Sequence, residues 1–244
     1  LKGNLGHDRK DVGMLIKVFA ETFKNKASRN RPALVLKTSS ATFSIIDRED
    51  ITRKIQSILQ PYGNKAPNVY LLHGDLTDEE MNSLYNHSKI KAMVSFTKGE
   101  GFGRPLLEFT ASGKPVIASG WSGHVDFLKD HSILLPGSIN DIDASAADNF
   151  LLKGSKWFTV DYGYAMRIFK DMTENYKRYL DNSRKQMTHT KKNFTLDVMA
   201  EKFVAMIDKG LEGVPQQVDL KLPKLKKAED APKLKLPKLK KVNV

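Results

Sequence analysis

At 244 residues the chain is long enough to bury a sizeable core in one or two domains. It has no cysteine, which excludes disulfides and thiolate metal sites, and it shows neither an apolar run of membrane-spanning length nor a signal peptide. The net charge of +12 invites a nucleic-acid reading, but Val218 to Val244 holds nine lysines against three acids, a balance of +6 in the tail alone.

The remaining excess is ordinary for a protein that handles anionic nucleotides. No helix-turn-helix, zinc-finger or RNA-recognition signature is present, so nucleic acid is a minor alternative. The expected location is the cytoplasm or a macromolecular assembly.

Residues 1–10 are glycine-rich and polar, hence a loop, with Arg9 and Lys10 at its end. Asp11 reads as the N-cap of a helix whose apolar side is Met14, Leu15, Val18, Phe19 and Phe23. Ala33–Lys37 is predicted as a strand with Thr38 at its exit, and Asp47–Leu59 as a helix with Ile51, Ile55, Ile58 and Leu59 at helical spacing. Asn68–Leu72 is the next strand and His73-Gly74 its exit. Thr77-Asp-Glu-Glu80 forms a capping box for a helix through Leu84 and Tyr85.

The stretch from Ile90 to Ser119 organises the rest. Ile90–Phe96 reads as a buried strand, and Gly99, Gly101 and Gly103 then give a turn where a ligand can approach the backbone closely. Pro105 suits the first turn of a helix packed through Leu106, Leu107, Phe109 and Thr110. Gly113 sits at its C-cap, and Pro115–Ala118 is the following strand. Glu100 and Glu108 flank the loop with seven residues between them.

After Ser119, Gly120–Asp126 is a second small-residue loop leading into a short helix, and Ser132–Leu135 is the last strand. Alternating helices and strands of this kind specify a parallel sheet covered on both faces, with ligands outside the carboxyl ends of its strands. Arg9, Thr38, His73, Glu100 and Gly120 each occupy such a position. Their convergence points to a nucleotide-type site on a Rossmann-like domain.

The string through Glu100-Gly-Phe-Gly, Pro105, Glu108, Ala111, Gly113 and Pro115-Val-Ile resembles the glutamate-x7-glutamate segment of retaining GT-B glycosyltransferases of family-4 type. The resemblance implies the following roles. Glu100 bonds hydroxyls of the donor sugar and positions it for reaction. Backbone N–H groups of Gly101, Phe102 and Gly103 face sugar and phosphate, and Glu108 accepts from the ribose hydroxyls. Arg9 and Lys10 neutralise the departing diphosphate, so no metal and no cofactor beyond the nucleotide-sugar substrate is expected. The region around His73 and Gly74 lies near the base, and Thr38, at a strand exit, is a further substrate-binding candidate. The resemblance also implies that the first strand of this domain precedes Leu1.

Residues 137–163 are irregular in pattern, with Trp157 and Phe158 as their large aromatics; they read as a crossover segment or as a surface loop pinned by Trp157. Tyr164–Arg184 and Thr195–Lys209 read as helices, with Ile168, Met172 and Tyr176, then Val198, Met199, Phe203 and Ile207, as core or interdomain packing residues. In the tail, Leu220–Lys227 recurs word for word as Leu234–Lys241. Its lysines and prolines oppose helix and central strand, so it is expected to be extended. A duplicated Leu/Lys unit suits a docking peptide for a protein assembly partner through residues 218–244; anionic membrane or nucleic acid is the lesser alternative.

The expected organisation is a nucleotide-sugar-binding domain over 1–136, a crossover with C-terminal helices over 137–210, and the tail over 211–244. The expected function is the donor-binding half of a glycosyltransferase acting on an unknown acceptor. The alternative is a structural or docking subunit that carries such a domain and is anchored by its tail. The two differ in what a partner search finds: an upstream acceptor domain, or an assembly subunit on the tail.

Overall fold

The computed structural model describes residues 5–38, 43–128, 130–149 and 151–214. The chain divides into two compact units, Leu1–Ala200 and Glu201–Val244. The repeat at 220–241 lies outside the described residues.

In the first unit the elements alternate as the hydrophobic pattern predicts. They run α1 (Val12–Phe23), β1 (Leu34–Lys37), α2 (Ile45–Leu59), β2 (Val69–Leu72), α3 (Asp78–Asn86), β3 (Met93–Ser95), α4 (Arg104–Thr110), β4 (Val116–Ser119), α5 (Val125–Leu128) and β5 (Ile133–Leu135). Strands β1 and β2 pair in parallel, Leu34 opposite Val69. Strands β3, β4 and β5 form a second parallel sheet in that order. The result is an α/β fold, parallel sheets flanked by helices.

Strand β4 shows why helices must lie on both faces. Its four residues are all buried, and successive side chains point to opposite sides. Ile117 joins the core formed by Leu15, Ile16 and Phe19 of α1 with Phe96 and Phe169. Val116 and Ala118 join a second core with Leu106 and Phe109 of α4 and with Phe127. The Thr77 capping box is present in full: the Glu80 N–H donates to the Thr77 hydroxyl at 3.2 Å, and the Thr77 N–H donates to the Glu80 carboxylate at 2.9 Å.

Four local expectations are corrected. Asp11 is not a side-chain cap. It adopts a left-handed φ of 51° with its side chain turned inward, and the carboxylate of Asp8 receives the Val12 N–H instead. The region 137–163 is not irregular throughout: β6 (Gly137–Asp141) and β7 (Lys156–Val160) form an antiparallel pair. Strand β6 is polar and exposed along its length, so no alternation betrays it, whereas β7 buries Trp157, Phe158 and Val160.

The long helix expected over 164–184 is two, α6 (Tyr162–Glu174) and α7 (Lys177–Asn193). The Asp171 carboxylate gathers Asn175, Arg178 and Tyr179 around the break, a local device that uses neither glycine nor proline. Finally, the apolar residues of α8 (Leu196–Leu211) are not core, since the helix buries none of its residues and Met199, Phe203 and Ile207 are exposed. In the second unit, the described part is the remainder of α8 and a turn ending at Val214. Among the described residues no helix is long and apolar enough to cross a membrane.

Candidate functional site

The loop after β3 and the loop before α1 are joined backbone to backbone, since the Lys98 N–H donates to the Arg9 carbonyl at 2.8 Å. That bond puts Arg9 and Lys10 against Glu100, across ninety residues of sequence. The Lys10 ammonium donates to Glu100 Oε1, and the Arg9 guanidinium lies 3.6 Å from Glu100 Oε2 while donating to the Gly99 carbonyl at 2.7 Å. The Thr97 hydroxyl adds a bond to Glu100 Oε1 at 2.9 Å. Partial burial pushes the Glu100 carboxyl up, but Lys10, Thr97 and Arg9 together outweigh it and hold the group below the usual glutamate range.

A second loop holds Glu100 from the other side. The Ser122 hydroxyl accepts from the Glu100 N–H at 3.0 Å and donates to its carbonyl at 2.6 Å, and the Gly123 N–H donates to that carbonyl at 3.1 Å. Ser122 reaches this position with a left-handed φ of 87°. Gly123 has no room for a side chain, because a Cβ there would overlap the Gly101 carbonyl oxygen. A Cβ on Gly101 itself would meet nothing within 4 Å, so that residue opens onto free space. Gly103 needs its glycine for the φ of 87° that turns the chain into α4.

The other predicted residues separate into two further groups. Thr38 leaves β1 with its N–H bonded to the Leu72 carbonyl, and His73 leaves β2 with its ring 2.7 Å from the Asp47 carboxylate of α2. Both members of that pair are nearly buried, so the His73 ring is engaged in the fold. Gly74 turns with φ of 129°, and its carbonyl accepts from the Lys37 ammonium at 2.7 Å. Glu108 stays on the exposed side of α4, paired with Arg104 at 3.0 Å one helical turn earlier. Burial pushes the Tyr85 hydroxyl up to about 12, and the Glu108 charge adds to the same effect.

Behind the loops lies a buried polar cluster with no local sequence signal. The Lys98 ammonium sits 3.3 Å from Asp11 Oδ2, 3.0 Å from the Thr159 hydroxyl and 5.2 Å from the Trp157 ring centre. The Tyr162 hydroxyl donates to the same Asp11 oxygen at 2.6 Å. Burial pushes the Asp11 carboxyl up, against the bonds from Tyr162 and Lys98, and Asp11 Oδ1 has no hydrogen-bond partner. His124 is also fully buried, its Nε2 2.7 Å from the Ser119 carbonyl. Ser122 and His124 fall in a loop whose small residues alone had drawn notice.

Among the described residues, no group of three or more His, Asp or Glu side chains is arranged to hold a metal ion. The arrangement offers two cations and an anion at the carboxyl end of a parallel strand, beside an open glycine backbone. Such an edge can neutralise phosphate and read hydroxyl groups at once.

Comparison with solved structures places this fold among known ones. It is similar to sucrose-phosphate synthase from Thermosynechococcus elongatus, at 17% identity and a TM-score of 0.58, over 84% of this chain and 43% of that one. The HepE protein of Anabaena, solved with UDP and glucose, matches at 12% identity and a TM-score of 0.55, over 79% of this chain and 44% of that one. The chain thus spans under half the length of these two structures. The C-terminal domain of the group 1 glycosyl transferase LpcC from Francisella tularensis matches at 15% identity and a TM-score of 0.53, over 77% of this chain and 81% of that domain. The shared architecture is that of the C-terminal domains of GT-B glycosyltransferases.

No curated protein matches the sequence. The family model for glycosyl transferases group 1, however, covers residues 3–156, which takes in the basic pair, both glutamates and the Ser122 loop. The chain belongs to the glycosyl transferases group 1 family.

Proposed function

We propose that this chain is the nucleotide-sugar-binding half of a retaining glycosyltransferase of family-4 type. One observation carries the reading: Arg9 and Lys10 converge on Glu100 at the carboxyl edge of a parallel sheet, next to the open Gly101 backbone. The HepE neighbour was solved with UDP and glucose, a ligand pair of the chemistry this edge suits.

In transfer, the bond between the anomeric carbon of the sugar and the diphosphate oxygen breaks while that carbon bonds to the acceptor hydroxyl oxygen; negative charge grows on the diphosphate oxygen, which takes up the acceptor's proton. Arg9 and Lys10 would stabilise this charge directly, and no metal is required for that step. Glu100, released from the basic pair, would accept from the sugar hydroxyls. The N–H groups of Gly101, Phe102 and Gly103 would line the sugar and phosphate. Glu108 would exchange Arg104 for the ribose hydroxyls. Because the His73 ring is committed to Asp47, the base edge would be formed by the backbone at His73 and Gly74 with Thr38 beside it. The acceptor would bind outside this chain's donor face.

Calorimetric titration of the full chain with UDP, GDP and ADP, and with their sugars, tests the reading. Glu108→Ala should weaken free nucleotide and nucleotide sugar alike, whereas Glu100→Ala should weaken only the increment that the sugar adds. Losing a charge-assisted bond costs about 1.5–3 kcal/mol, some tenfold or more in affinity. Equal losses on the plain nucleotide from both changes would sink the assignment of roles.

A further inference from the structure

We propose that Trp121 forms a carbohydrate-stacking subsite beside Glu100, receiving the flat C–H face of the sugar whose hydroxyls Glu100 reads. The inference rests on the nucleotide-sugar reading above and adds to it a residue that fixes sugar preference.

The chain has two tryptophans. Trp157 is buried against the Lys98 ammonium, but Trp121 leaves 41% of its surface exposed at the rim of the Glu100 loop. Exposure alone would mean little. What distinguishes Trp121 is how firmly it is held. Its ring lies nearly parallel to that of Phe158, at 9° with centres 6.2 Å apart. The ring also lies against Gly99, where a Cβ would stand 3.4 Å from Trp121 Cζ3, in van der Waals contact. The next residue, Ser122, is bonded to both the N–H and the carbonyl of Glu100. The loop that carries the indole is therefore tied to the Glu100 backbone before any ligand arrives, and a preordered contact loses little entropy on binding.

The chemistry on the two sides is complementary. An indole face carries partial negative charge, and the axial C–H bonds on one face of a pyranose carry partial positive charge. Sugars present hydroxyls around their edge and C–H bonds on their face, so a carboxylate beside an aromatic plane matches both features. The Arg9 guanidinium, bonded to the Gly99 carbonyl, supplies charge for the attached diphosphate from the adjoining loop before α1. A nucleobase is the other flat group that an indole could take. Thr38 and the His73–Gly74 exit follow β1 and β2, whereas Trp121 adjoins the glycine loop after β3, so the sugar is the occupant argued for.

Tryptophan emission of the full chain, compared with that of Trp121→Phe, isolates the signal of Trp121 because Trp157 is common to both. The probes are UDP, GDP and ADP, and UDP-glucose, GDP-mannose and ADP-glucose. The nucleotide sugar of the preferred base should quench or shift Trp121 emission beyond the change caused by its free nucleotide. Trp121→Leu, which keeps apolar packing on Phe158, should weaken that nucleotide sugar about tenfold and leave the nucleotide within about twofold. Trp121→Phe should retain most of the affinity, which also guards against misfolding of the leucine variant. Identical emission changes with nucleotide and nucleotide sugar, or equal loss of both in Trp121→Leu, would overturn the subsite while leaving donor binding intact. Failure of every nucleotide to bind the parent chain would overturn the donor-binding reading itself, and the subsite with it.

Discussion

Asp11 and Lys98, brought together from two different loops, form an ion pair from which water is excluded, their side chains 0% and 1% exposed and 3.3 Å apart. Each adjoins a residue of the candidate site by one or two positions: Asp11 follows the basic pair, and Lys98 precedes Gly99-Glu100. Removing one partner from a buried pair leaves the other charge uncompensated, at a cost of about 3–5 kcal/mol. Lys98→Met should therefore lower the urea midpoint sharply. The double variant Asp11→Gly with Lys98→Met should recover most of the loss, since it removes both charges and relieves the left-handed backbone at residue 11. A double variant no more stable than the single one would show that the pair itself, and not the orphaned carboxylate, carries the stability.

The acid limb of stability should depend on Glu100. Its carboxyl is held below the ordinary 4.5 in the folded protein, so its pairing contributes fully above 4.5 and is lost as pH falls below that and through the lower folded value. Melting temperatures measured from about pH 7 down to about pH 3 should fall less steeply for Glu100→Gln than for the parent chain. An unchanged slope would place the acid sensitivity elsewhere.

Two glycines two loops apart should behave in opposite ways. Gly123→Ala drives a methyl group into the Gly101 carbonyl, so it should destabilise the fold and uncouple the loops. Gly101→Ala meets no protein atom within 4 Å and should leave the melting temperature nearly unchanged. The same change should still weaken nucleotide-sugar binding, because the methyl group would occupy space assigned to the ligand. Calorimetry on both variants, alongside thermal melts, separates the two effects.

Arg9 and Lys10 are both about half exposed, so their links to Glu100 should add only about 0–1 kcal/mol each to stability. Replacing the pair with alanine should lower the melting temperature modestly, because the partly buried Glu100 loses its counter-ions. It should weaken nucleoside diphosphate at least tenfold and the bare nucleoside scarcely at all, in titrations run with and without EDTA. A nucleoside equally affected would mean that the pair shapes the base site and not the phosphate site.

Much of this was legible because its causes are local. The all-apolar run Val116-Ile117-Ala118 announces a strand buried on both faces, and Thr77 with Glu80 announces a helix start, since each signal lies within a few residues. Family resemblance pointed to the glycine loop, its two glutamates and the basic pair; the structure brings Arg9 and Lys10 to Glu100, while Glu108 pairs with Arg104 apart from them. The misses had distant causes. Asp11 reads as a cap until Lys98 and Tyr162 draw it inward. Ser122 looks like an ordinary loop serine until the Glu100 backbone is placed against it.

The convergence of Lys10 and Arg9 on Glu100 has a consequence for selectivity. The resting site carries its own counter-ion. An inorganic anion that displaced Glu100 from the cations would strand a partly buried carboxylate, and the exchange would gain little. A molecule that brings negative charge to the cations and hydroxyl donors to the carboxylate satisfies both partners at once. On the proposed donor-binding reading the cluster would act as a two-key lock, in which phosphate alone or sugar alone is a poor fit and the two joined in one ligand open it.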